Sequence, residues 1–147
     1  MARPLQYCPN FAPMTKKIFA RQQEITAAFL EEIDKHLLDI VEGRATEMFE
    51  IRDLAQLLHI HPTHLANTVK QATGKSACYF FEEKILTIAK RMLGENTMPI
   101  NAIASLLTYD PSNFTKFFKR FTGETPKNYR NRVLAQQMAQ KTETVTI

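Results

Sequence analysis

The chain has 147 residues, 44% of them hydrophobic, with 19 Lys and Arg against 15 Asp and Glu for a formal net charge of +4. That is long enough for one domain, or two very small ones, to bury a core without metal or disulfide staples. Its two cysteines, Cys8 and Cys78, lie far apart in unlike surroundings, which excludes a disulfide framework and predicts a cytoplasmic protein, and neither a membrane span of about 18 apolar residues nor the apolar centre of a secretory signal is present.

Residues 1–17 include Pro4, Pro9 and Pro13 and have no helical period, which predicts an irregular arm or a linker remnant. From about Ile18, the residues Ile25, Phe29, Ile33, Leu37 and Ile40 recur at steps of three and four, so an amphipathic helix is expected, ended by Gly43. Glu24, Glu31, Glu32, Asp34, Asp39 and Glu42 crowd this stretch. The helix should therefore turn acid outward and aliphatics inward, and lie on the side away from any polyanionic partner.

A short helix is expected from Ile51 to about Leu58, then a turn at His59, Ile60 and His61, then a helix opening at Pro62, where the missing N–H costs nothing. Gly74 stops that helix. Ser76 is placed to cap a long one, in which Phe80, Phe81, Ile85, Ala89 and Met92 keep helical spacing as far as Gly94. At about 1.5 Å per residue such a rod is roughly 27 Å long.

The chain then repeats itself. IRDLAQLLHIHPTHLANTVKQATGKS, starting at Ile51, returns as INAIASLLTYDPSNFTKFFKRFTGET, starting at Ile100, at an offset of 49 without a gap. Ala55/Ala104, Leu58/Leu107, Pro62/Pro111, Lys70/Lys119 and Gly74/Gly123 fall in register. A repeated helix, turn and helix means two copies of one supersecondary unit. In the second copy Asp110 is the N-cap, Pro111 takes the first helical position and Gly123 terminates. Thr125 and Pro126 open a last helix through Tyr129 and Leu134, which fades into a polar tail. The fold class is all-α: two helix-turn-helix subdomains joined by a long linker helix and preceded by an amphipathic helix, with 18–94 forming the first part, 95–138 the second subdomain and 139–147 the tail.

The second helix of each copy has an apolar stripe, Leu65, Val69 and Ala72 in the first and Phe114, Phe118 and Phe121 in the second. Opposite it stand Thr63, His64, Asn67 and Gln71, and then Ser112, Asn113, Lys116 and Arg120. These are the side-chain types that pair with base edges in the major groove. Basic residues also gather in this part of the chain, including Lys70, Lys119, Lys127 and Arg130, which suits a polyanion. Helical spacing accounts for the phenylalanines as core rather than as a base-stacking platform.

His59, His61 and His64 form an H-x-H-x-x-H cluster, but one lies in the turn and no Cys or acidic ligand is near, so no zinc site is expected. His64 is better placed as a DNA contact. Cys78, between Ala77 and three aromatics, is expected to be a small buried apolar residue. No grouping of nucleophile, base and orienting residue is present, nor a phosphate-cradling loop, so neither catalysis nor a cofactor is expected.

IASLLTYDPSNFTKFFKRFTGETPKNYR resembles the signature of the AraC/XylS family of bacterial transcription regulators, with Phe118, Lys119, Gly123, Thr125, Pro126, Tyr129 and Arg130 at the patterned positions. LAQLLHIHPTHLANTVKQATGKS is similar to that family's first helix-turn-helix. The resemblance covers about Ile25 to Leu134. It implies two recognition helices entering successive major grooves of double-stranded DNA, with RNA polymerase as a further partner and a single chain sufficient for a bipartite site. By the resemblance, Thr63, Asn67, Asn113 and Lys116 meet bases, with His64 and Ser112 beside them. Lys70, Gln71, Lys119, Arg120, Lys127 and Arg130 fall to the phosphates or the scaffold.

The sequence departs from that family where Thr108 replaces the usual glycine of the second turn, which predicts strain of about 1 kcal/mol, and where the second turn reads one residue short. Asn67 also stands where basic residues are frequent, and no effector domain is expected within these 147 residues. Two alternatives stay open: a DNA-binding fragment of a larger sensor-regulator, and a helical protein-interaction module that works through its acidic first helix.

Overall fold

The computed structural model describes residues 11–145, with side chains described for 16–143. The described residues form α1 (Phe11–Val41), α2 (Ile51–Leu57), α3 (Pro62–Thr73), α4 (Ala77–Glu95), α5 (Ile100–Leu106), α6 (Pro111–Thr122) and α7 (Pro126–Val145), and none of them is in a strand. The residues pack as two units. One takes in the described part of Met1–Lys35 together with Phe49–Phe80, and the other His36–Met48 with the described part of Phe81–Ile147. The division therefore falls inside α1 and α4 rather than after residue 94.

The helices begin and end where local chemistry dictates. Gly43, Gly74 and Gly123 take positive φ of 75°, 78° and 79°, a conformation glycine adopts without steric cost. Thr73 and Thr122 repeat the same closure: each hydroxyl donates to the carbonyl four residues back (Val69, 2.6 Å; Phe118, 2.8 Å) and accepts from the N–H two residues on (Lys75, 3.1 Å; Glu124, 3.3 Å). Ser76 and Thr125 then cap α4 and α7 by accepting from the N–H groups of Tyr79 (3.1 Å) and Asn128 (3.2 Å). The duplication thus runs on into the start of the third helix of each copy.

Three expectations about boundaries need correction. Residues 11–17, expected to be irregular, belong to α1. Pro13 lies in the first turn, where a helix has no intrahelical acceptor for its N–H, while residues 1–10 lie outside the described residues. Gly94 sits inside α4, and it is Asn96, at φ 54°, that takes the left-handed position beyond the end. The tail is helical as far as Val145.

In the first unit, Ile25, Phe29 and Ile33 of α1 are buried together with Leu54, Ala55, Leu65 and Val69. Ile18, where the apolar period was expected to begin, is 55% exposed, so the buried stripe starts at Ile25. In the second unit, Leu37 and Ile40 are buried with Phe81, Ile85, Leu86, Ala89, Met92 and Leu93 of α4, and with Ile103, Leu107, Phe114, Phe117 and Phe118. Phe118, fully buried, meets Tyr129 edge-on at 5.3 Å and Phe114 at 6.1 Å. Phe118→Ala is expected to lower stability by about 3–5 kcal/mol, read as a fall in the urea midpoint at unchanged slope.

Candidate nucleic-acid interface

Each helix-turn-helix is closed by the same turn. In the first, the N–H of His59 bonds the Gln56 carbonyl at 3.1 Å and that of Ile60 the Ala55 carbonyl at 3.0 Å. In the second, Thr108 reaches Ser105 at 3.0 Å and Tyr109 reaches Ala104 at 2.8 Å. His59 (φ 56°) and Thr108 (φ 66°) are both left-handed, as expected for Thr108. The second turn is not shorter than the first: each lies between a seven-residue helix and a helix opening at proline, with its bonds in register.

The two second helices start on caps of different chemistry. His61 accepts the Thr63 N–H on Nδ1 at 3.2 Å. Asp110 accepts the Ser112 hydroxyl and, at 3.4 Å, the Asn113 N–H. Those two hydrogen bonds, the Ser112 one foremost, hold the Asp110 carboxyl below its ordinary range. His61 is thus engaged in capping, and no group of three His, Cys, Asp or Glu among the described residues is arranged to hold a metal.

The candidate reading faces are exposed and in register. Thr63, His64, Asn67, Lys70 and Gln71 on α3 correspond to Ser112, Asn113, Lys116, Lys119 and Arg120 on α6, and all ten are exposed. The buried sides also correspond. Leu65, Thr68 and Val69 match Phe114, Phe117 and Phe118. Thr68 and Phe117 were missed in the sequence, although Phe117 lies three residues from Phe114 and stacks on Tyr109 at 5.0 Å. Ala72 and Phe121 are half-buried. Phe114 and Phe118 are core, as their spacing predicts, and Phe117 joins them. Burial pushes the Tyr109 phenol above its ordinary range, and the nearby Glu82 charge adds to the shift.

Several side chains already have partners. The Arg120 guanidinium donates to Glu82 at 2.9 Å and lies over the Phe121 ring at 5.0 Å. This is an exposed pair that costs little to open. Gln71 accepts from Gln22 of α1 at 2.8 Å. Arg130 differs: half-buried, it donates to the carbonyls of Leu93 at 3.1 Å and Met98 at 2.6 Å, satisfying acceptors at and beyond the end of α4. Those bonds tie α7 to the end of α4 within the second unit. Lys127, in the first turn of α7, is exposed. Cys78 is exposed rather than buried, because the inward positions of that turn are taken by Ala77 and Phe81.

Residues 54–132, just over half of the chain, match the family model described as a helix-turn-helix domain. The chain belongs to the AraC-type helix-turn-helix family. Among relatives, it is 31% identical over 105 residues to the HTH-type transcriptional regulator YobQ of Bacillus subtilis, a match covering 69% of this chain and 44% of YobQ. The chain thus spans less than half of that relative's length. Among solved structures, the C-terminal domain of AraT, a response regulator from Geobacillus stearothermophilus, superposes with a TM-score of 0.64 at 25% identity, covering 74% of this chain and 84% of that one. The DNA-binding domain of AdpA, a global transcriptional factor solved in complex with a target DNA, has the same fold at a TM-score of 0.60 and 18% identity, covering 73% of this chain and 94% of that one. Among the described residues, no helix of this AraC-type chain is long and apolar enough to cross a membrane.

Proposed function

We propose that this AraC-type chain regulates transcription in the cytoplasm by binding double-stranded DNA, with α3 and α6 each entering a major groove, and that it acts by binding rather than by catalysis. The observation that carries the reading is the double set of exposed polar side chains in register on two helices whose opposite faces are buried. Thr63, His64 and Asn67 read bases in one groove, and Ser112, Asn113 and Lys116 in the other. Lys70, Gln71, Lys119, Arg120 and Lys127 position the helices on phosphates. The α6 face carries Lys116, Lys119 and Arg120 where the α3 face carries Lys70 alone, so the second unit supplies more of the electrostatic affinity. RNA polymerase is the partner such a regulator would position at a promoter.

The test begins with selection of bound sequences from a random duplex pool. Lys116→Ala is expected to relax preference at one or two base pairs, at a cost of about 1–3 kcal/mol, whereas Lys119→Ala weakens all sequences alike. An equal, sequence-independent loss from both would show that α6 does not present its Lys116 side to the bases.

A further inference from the structure

The amino-terminal turns of α1 do not lie clear of the candidate reading helix, as their expected place away from the partner would require. Gln22 donates to Gln71 at 2.8 Å, tying α1 to the exposed side of α3. A cleft of about 530 Å³ runs between the two helices within the first unit, with Lys17, Arg21 and Gln22 on one wall and His64, Asn67 and Gln71 on the other. The charge at this end of α1 is basic. Lys16, Lys17 and Arg21 are exposed, and Glu24 is the first acidic residue of the chain. Arg21 contacts Glu24 at 3.5 Å, but both side chains are about 70% exposed (68% and 70%), so the pair holds the guanidinium weakly. A helix lying in a major groove about 12 Å wide has a phosphate strand on either side. Cations beside the polar face of such a helix therefore lie where a phosphate strand passes.

We propose that the first turns of α1 are a third DNA-contacting element, in which Lys17 and Arg21 hold the phosphate strand flanking the groove that α3 enters. This rests on the DNA-binding reading above. The contact is to backbone and carries no base preference of its own. It strengthens the unit whose reading helix is the less charged of the two, and the Gln22–Gln71 bond keeps the cations at the edge of the reading face rather than over it.

The test is a salt titration of duplex affinity for the full chain and for the double variant Lys17→Gln, Arg21→Gln, on a site selected with the unaltered protein. Loss of two phosphate contacts should make the log-log slope shallower by about 1.8, at about 0.9 per contact, with the base preference from a random pool unchanged. The exchange Lys17→Arg, Arg21→Lys should keep the original slope. A double variant with the same slope and affinity as the unaltered chain overturns the proposal, and so does one that binds more tightly, which would make these turns an obstruction to α3. Both substituted side chains are exposed, so thermal unfolding followed by circular dichroism should superpose. If it does not, Lys17→Gln alone carries the test, with a slope change of about 0.9 expected. If the unaltered chain shows no salt-dependent duplex binding, the DNA-binding reading fails with it. If it binds and the double variant matches it, this inference alone fails.

Discussion

Raising the salt concentration from about 50 to 200 mM should weaken duplex binding by roughly 10³–10⁵-fold, the loss expected for six to ten neutralised phosphates. The cations that would make those contacts are accessible to a duplex. Lys70, Lys119 and Lys127 are exposed, as are Lys17 and Arg21 of α1, and Arg120 is held by an exposed pair with Glu82 that salt itself weakens. Arg130, whose guanidinium donates to the carbonyls of Leu93 and Met98, is expected to add less to the slope. The log-log slope should therefore lie between about −5 and −9. A titration followed by fluorescence anisotropy and found flat over that range would overturn DNA binding as the function.

Inserting about 5 bp, half a helical turn, between the two half-sites of a selected sequence should reduce affinity to what one unit achieves alone. α3 and α6 are two copies of one reading element in a single chain, and α4 between them is unbroken over 19 residues, about 28 Å at 1.5 Å per residue. On the proposed reading one chain is expected to suffice for a bipartite, non-palindromic site, where a protein with one such motif must dimerise onto a palindrome. The measurement is an affinity series with spacers lengthened by single base pairs, together with the mass of the complex. Undiminished affinity at the half-turn, or two chains per duplex, would overturn the monomeric bipartite reading.

Most of the helical order was legible because the chain states it twice. Pro62 and Pro111, Gly74 and Gly123, and the three- and four-residue apolar steps are local signals, and the helices obey them. The exposed faces of α3 and α6 followed from the same periodicity. What escaped reading depends on partners distant in sequence. Arg130 bonds carbonyls 37 and 32 residues away, and Gln22 meets Gln71 at a separation of 49. Composition around Arg130 and Gln22 carries no trace of either contact. Cys78 is exposed because its aromatic neighbours along the chain are not all neighbours in space: in the first turn of α4 adjacent residues point to different sides. Gly94 was misread because a glycine near a helix end need not be its last residue. Inside α4 an added Cβ would meet Cγ1 of Val133 of α7 at 3.5 Å, an ordinary contact, so nothing about the position stops the helix there.

His59 and Thr108 hold the left-handed position of the two turns without being glycine. An ordinary side chain there costs about 1–2 kcal/mol, while glycine would cost about 0.4–1 kcal/mol through the added freedom of the unfolded chain. The second cost offsets only part of the first, so each bend carries a net strain of up to about 1.5 kcal/mol. What holds the bend is the pair of backbone bonds around it, from 59 to 56 and 60 to 55 in one copy and from 108 to 105 and 109 to 104 in the other. Two different residues thus hold one shape, and the angle at which α3 or α6 leaves its own turn is set by the backbone bonds around the bend rather than by the side chain at it.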